Sequence, residues 1–330
     1  MKIPSHLQIR RLLQNLALGC WVFVCGCHTA WFASNASGVV HRLASSQTQS
    51  RLLADLKDVP VSRSALEALP DLLQFARERG LKVGDAYQRI DPIPGPVSWI
   101  VAAADPNTLT LHRWNFPLVG DVPYKGYRFR EHAQREADQL ATIGLETEVL
   151  EVPAWSSLGW FPEPLPRSLL DQPEYRWATT ILHELVHRTI HISSHAELNE
   201  GLATYLGHRL ALEWQVIRHG EESEPVIQHQ MWQRDESRLN RLLRRYREDL
   251  ATQSRESATQ GFLRALREEP WESFSGAHLA SQSWSLPRVL LAAVYDPETI
   301  DWERIWAETG QNLVNLASWI DREIPGTSQD

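Results

Sequence analysis

The chain has 330 residues, of which 43% are hydrophobic and 22% charged, enough apolar material for one large domain or two small ones and too much for a disordered chain. Its net charge is −8, and Lys and Arg are scattered along it, so it lacks the basic stripe of a nucleic-acid binder and that partner class is excluded. All 3 cysteines lie at or before position 27, which excludes a disulfide framework or a thiolate metal site in the rest of the chain.

Lys2, Arg10 and Arg11 form a positive flank before the mostly apolar run Leu12 to Val24. That run has the length of a signal-peptide core and falls short of the roughly 20 residues of a membrane span. Val24-Cys25-Gly26-Cys27 resembles a bacterial lipobox. Residues 1–26 are therefore expected to be a lipoprotein-type signal peptide, with Cys27 the lipidated first residue of an exported protein anchored to the membrane. His28 and Thr29 follow in place of an acidic retention signal, which points to the outer membrane, facing the periplasm. Residues 27–60 read as a helical tether and 61–330 as the folded domain.

Within that domain, Leu66, Leu69, Leu72, Leu73 and Ala76 recur at helical spacing and stop at Gly80. Val97 to Ala104 reads as a strand, Asp105-Pro106-Asn107 as a turn, and Leu109 to Trp114 as the return strand of a hairpin. Phe129, Ala133, Ala137 and Leu140 share one helical face, with Gly144 as C-cap, and Leu145 to Val152 alternates like a strand. Helices are expected over Trp177 to Ile190 and from a capping box at Ser194 and Glu197 onward. After Pro225 the pattern stays helical, including Arg234 to Glu248, Leu286 to Val294 and Trp302 to Ile320. The fold class is thus α+β, with a catalytic core over 97–210 and a mainly helical part over 211–330.

His183-Glu184-Leu185-Val186-His187 is an HExxH pattern. On a helix, residues four apart stand one turn above each other on one face, so two imidazoles can grip one ion, and Glu184 beside them can act as general base on a water at that ion. Zinc suits this donor set: it favours nitrogen and oxygen ligands in tetrahedral geometry, and in catalytic sites leaves the fourth position to water. A third protein ligand is needed, and His191, His195, Glu197 and Glu200 are the candidates. The positions where a metzincin would carry a glycine and a third histidine hold Ile190 and Ser193.

Asn199-Glu200-Gly201-Leu202-Ala203 resembles the Asn-Glu-x-x-Ala motif of gluzincins, which implies Glu200 as the third ligand, carried by a second helix that turns back after Ile192 to Ser194. The likeness is wider than the motif. Trp114-Asn115-Phe116-Pro117-Leu118-Val119-Gly120, Tyr124-Lys125-Gly126-Tyr127 and Ala154 to Phe161, followed by the metal motif, resemble the family of bacterial putative aminopeptidases. Lys125, Trp155 and Glu163 depart from the usual residues there, and none of them is a ligand candidate. The resemblance implies a zincin-like fold, with a small antiparallel or mixed sheet packed on the HExxH helix. It also implies one zinc ion and a peptide substrate. Asn199, Ser157, Gly159, Tyr127 and Tyr205 are candidates for substrate contact or for supporting the ligands, and Tyr124 is a further candidate donor to the oxyanion. Two rival readings share these residues: a non-catalytic envelope binding or assembly protein, and a hydrolase of another amide such as cell-wall peptide.

Overall fold

A computed structural model describes residues 41–48, 51–52, 60–93, 95–116, 120–152, 164–192, 195–296 and 300–324. The expected signal segment, Cys27, most of the tether, Ser157, Gly159 and Ser194 lie outside these residues. Along the chain come β1 (Gln47–Thr48), α1 (Pro60–Glu78), β2 (Arg89–Asp91), β3 (Ser98–Asp105), β4 (Thr110–Leu111), β5 (Trp114–Phe116), β6 (Gly120–Val122), β7 (Lys125–Tyr127), α2 (Arg130–Thr142), β8 (Glu146–Val152), β9 (Leu165–Pro166) and α3 (Arg167–Leu170). Then follow α4 (Glu174–Thr189), α5 (Ala196–His219), α6 (Glu224–Thr252), α7 (Arg255–Glu268), α8 (Gly276–Ser281), α9 (Leu286–Ala292), α10 (Trp302–Glu308) and α11 (Leu313–Glu323).

Strand β3 is the centre of the main sheet. It pairs antiparallel with β8 along one edge, from Ser98↔Val152 to Ala104↔Glu146, and with β7 and β4 along the other. Its side chains alternate between faces, as strand geometry requires: Val101 and Ala103 pack with Ala133 and Ala137 of α2, while Ala102 packs with Leu291 and Val294. The run of small residues explains why Val101 to Ala104 are buried on both faces of β3, since a helix can close on each side of alanine. The turn after β3 is fixed by Asp105, whose Oδ1 accepts from the Asn107 backbone N–H at 2.8 Å. The return strand is shorter than the hairpin expectation of Leu109 to Trp114, because Trp114 leaves to pair with Val122 in a separate β5–β6 ribbon. A third small sheet joins β1 antiparallel to β2 and β2 parallel to β9.

The HExxH helix sits elsewhere. Trp177, Ile181, Leu182, Leu185 and Val186 of α4 pack in the largest apolar cluster with residues of α1, α3 and α5. Among the described residues the faces of the main sheet are covered by α2 and α9; the sheet that shares the metal-motif helix's cluster is the small mixed one, through Ile90 of β2 and Leu165 of β9. The described chain beyond residue 211 is helical, as expected, but it serves three cores, one of them at the main sheet through Leu291 and Val294. Leu243, Tyr246, Phe262, Leu266 and Val289 form their own cluster, whereas Trp302, Ile305, Leu313 and Ile320 return to pack with α1, α4 and α5. The segment expected as one helix over Trp302 to Ile320 is two, because Gly310 and Gln311 adopt left-handed φ of 68° and 56° and Asn312 caps a new helix through its Oδ1.

Candidate metal centre

Helix α4 starts after Pro173, with Glu174 in its first turn where the helix dipole favours an acid, and buries Trp177, Ala178, Ile181, Leu182, Leu185 and Val186. The remaining surface carries His183, Glu184 and His187, all half-buried. The described chain leaves α4 at Ile190–Ile192 and enters α5 after His195. Asn199 of α5 reaches back to the segment leaving α4: its Oδ1 accepts from the Ile192 N–H at 2.8 Å and its Nδ2 donates to the Ile192 carbonyl at 2.7 Å. Asn199 is buried with Ile192, so both backbone polar groups of one residue are satisfied by one side chain, and the next residue, Glu200, is delivered toward α4.

Three donor atoms converge. His183 Nε2 and His187 Nε2 are 3.0 Å apart, and each is 3.3 Å from Glu200 Oε2. These three are the group among the described residues whose geometry could hold a metal ion. With Glu200 ionised, protons alone cannot satisfy such a triangle. If both Nε2 atoms carry hydrogen and donate to Oε2, the 3.0 Å contact between them sets donor against donor; if one is bare, its contact with the carboxylate sets acceptor against acceptor. A cation relieves all three contacts. Bonds of about 2.0–2.1 Å at tetrahedral angles give ligand–ligand edges of about 3.3 Å, close to the spacing found.

The electrostatics follow from the same convergence. Burial opposes ionisation of Glu200, but the His187 and His183 imidazoles outweigh it and hold the carboxyl well below the usual carboxylate range. Burial likewise works against charge on His187, yet Glu200 and then Glu184 prevail and raise its pKa. The second oxygen of Glu200, Oε1, accepts from the Tyr124 hydroxyl at 3.2 Å. Tyr124 is pushed well above the usual phenol range, first by burial and then by the Glu200 charge.

Other sequence candidates stand apart. Tyr127 hydrogen-bonds Glu136, and Tyr205 donates to Glu303 Oε2 at 2.9 Å. Glu197 receives the Arg113 guanidinium at 2.5 Å, and His191 and His195 are not members of the cluster. Two contributors left no signal in the sequence. Tyr295 reaches Tyr124 from just beyond α9, with no motif around it. Gly207 lies seven residues after Glu200 on α5, and a Cβ there would stand 3.1 Å from both His183 Cβ and the Thr179 carbonyl oxygen. Only glycine lets α5 run this close to the metal-motif helix.

A family model described as "Putative aminopeptidase" matches residues 30–322. No curated protein and no solved structure matches the chain.

Proposed function

The chain belongs to the putative aminopeptidase family, and on that premise we propose that it is a zinc-dependent peptidase of gluzincin type that removes residues from the amino end of peptides. What carries this reading is the triangle of His183 Nε2, His187 Nε2 and Glu200 Oε2 with edges of 3.0–3.3 Å. His183, His187 and Glu200 would hold one ion. When bound, zinc would polarise both the scissile carbonyl and an attacking water, whose pKa such a site lowers toward about 7.

The rest is done by the protein. Glu184 follows His183 on α4, and its charge is felt by His187, Tyr124 and Tyr295, so it shares their space. Its carboxylate accepts the proton of the attacking water and passes it to the leaving amine, a transfer worth typically 10²–10⁴ in rate. His183 and His187 stay fixed because α4 is locked by its buried face, and Glu200 stays fixed because Asn199 clasps the segment leaving α4.

The N-terminal reading supports a place in the cell envelope with a lipid on Cys27: a positive flank, an apolar run and a lipobox-like sequence. Cys27→Ala would then release the protein from the membrane fraction.

The test of activity is metal content and peptide cleavage in parallel. Glu184→Gln should keep the ion and lose turnover by about 10²-fold or more, and His187→Ala should lose both. Undiminished turnover in Glu184→Gln refutes the assigned base. A fully zinc-loaded wild type that cleaves nothing in a broad peptide library would instead favour a non-catalytic envelope protein.

A further inference from the structure

Glu200 is the ligand with the most elaborate support, and that support comes from far away in sequence. Tyr124 stands just before β7, and Tyr295 lies just past α9; the two rings pack beside Ala102, Leu291 and Val294 where α9 covers the sheet. Tyr124 donates to Glu200 Oε1 at 3.2 Å, and Tyr295 packs in the same cluster within electrostatic reach of Tyr124 and Glu200. A phenol has one proton to give and lone pairs to receive. The proton of Tyr124 is committed to the carboxylate, so in a hydrogen bond between the two phenols Tyr295 is the donor. Hydroxyls joined in this way run in one direction, Tyr295 to Tyr124 to Glu200.

The consequence is a division of labour within one carboxylate. Oε2 faces the two imidazoles at 3.3 Å each, while Oε1 is tied back by Tyr124. To donate to a substrate oxygen, Tyr124 would have to abandon a buried, ionised oxygen, a loss larger than that of an ordinary neutral hydrogen bond.

Resting on the zinc reading above, we propose that Tyr295 and Tyr124 form a two-hydroxyl relay that orients Glu200 to offer a single oxygen to the ion. They are positioning residues, acting on the metal through the ligand. Supporting hydrogen bonds of this kind typically set metal affinity by 10–100-fold, and a donor chain strengthens its last link.

The experiment is zinc affinity of the purified full chain, measured by competition with a chromophoric chelator, for wild type, Tyr124→Phe, Tyr295→Phe and the double variant. Tyr124→Phe should weaken zinc binding by about 10–100-fold, and Tyr295→Phe by less. The double variant should match Tyr124→Phe alone, because Tyr295 has nothing to relay once the middle hydroxyl is gone. Turnover lost in Tyr124→Phe at limiting zinc should return as zinc is raised. Additive losses in the double variant, or an unchanged affinity in Tyr124→Phe, overturn the relay while leaving the peptidase reading intact. So does a loss of turnover that no zinc concentration reverses with affinity unchanged, which would make Tyr124 a direct donor to the substrate. If Tyr124→Phe fails to fold, an unchanged affinity in Tyr295→Phe alone overturns it. A wild type that binds no zinc removes the parent reading, and the relay with it.

Discussion

Gly207 of α5 leaves no room for a side chain against His183 of α4: a methyl group on Gly207 would lie 3.1 Å from His183 Cβ and 3.2 Å from its amide nitrogen. The atoms in the way include the main chain of a packed helix, which cannot swing aside as a flexible side chain would. The hydrogen that stands for the glycine side chain therefore sets how closely Glu200, two turns earlier on α5, approaches the imidazoles.

Gly207→Ala is accordingly expected to destabilise the fold by about 1–3 kcal/mol through overpacking, more than the helix-propensity gain of up to about 1 kcal/mol that alanine brings. Zinc affinity should fall with it, by roughly tenfold, the scale on which misoriented ligands act. Thermal melting and chelator competition measure the two effects. A Gly207→Ala protein with wild-type affinity would show that the helices can separate without moving the ligands.

Asn199→Ala leaves the buried N–H and carbonyl of Ile192 without the partner found at 2.8 and 2.7 Å, at about 1–3 kcal/mol for each group left unsatisfied. Asn199→Asp keeps the acceptor and loses the donor, so it should fall between Ala and wild type in urea unfolding. An alanine variant as stable as wild type would mean that water replaces both bonds.

The polar line Gln215–His229–His208–Glu236 runs between α5 and α6, with His229 Nδ1 2.7 Å from Gln215 Oε1, His229 Nε2 3.4 Å from His208 Nδ1, and His208 Nε2 2.9 Å from Glu236. His229 is fully buried against Tyr175 and Trp232, and burial first, then His208, pushes its pKa down to about 3. The unfolded chain takes up a proton at this residue near pH 6.5 while the folded one refuses it. The stabilising contribution is thus complete above about pH 6.5 and is lost as pH falls toward 3, at up to about 1.4 kcal/mol per pH unit. His187 and Glu200 titrate as well, so the informative quantity is a difference. Wild-type stability should fall more steeply than that of His229→Gln between pH 6.5 and 4, and parallel curves would count against a neutral, buried imidazole.

Arg42 pairs with Asp91 and donates to the Pro96 carbonyl oxygen at 3.0 Å, with 5% and 1% of the two ionic side chains exposed. This pair fastens the segment before β1 to the body of the protein. Arg42→Met strands a buried carboxylate and should cost about 3–5 kcal/mol, whereas Arg42→Met combined with Asp91→Leu should recover much of that loss. Denaturant midpoints decide between them, and equal values for the single and double variants would argue against a desolvated pair.

The HExxH helix, the strand at Ser98–Asp105, the helix behind it and β8 were legible because each depends on local periodicity and short-range turn chemistry. Glu200 was legible as a candidate through its motif, though His191, His195 and Glu197 offered similar donors on paper. What separated them was the Asn199 clasp on Ile192, which aims residue 200 at the imidazoles, while Glu197 is drawn away to Arg113. Tyr127 and Tyr205 looked no different in sequence from Tyr124, and only packing showed that Glu136 and Glu303 claim the first two.

The order of residues thus determined by itself which side chains could bind an ion, since spacing of four along a helix is a local property. Which carboxylate meets the imidazoles, which tyrosine meets that carboxylate and which helices cover the main sheet were decided by contacts between segments far apart in the chain. Those contacts depend on how apolar faces compete for one another, and Tyr295 meeting Tyr124, like Gly207 meeting His183, is the outcome of that competition and is written in neither stretch alone.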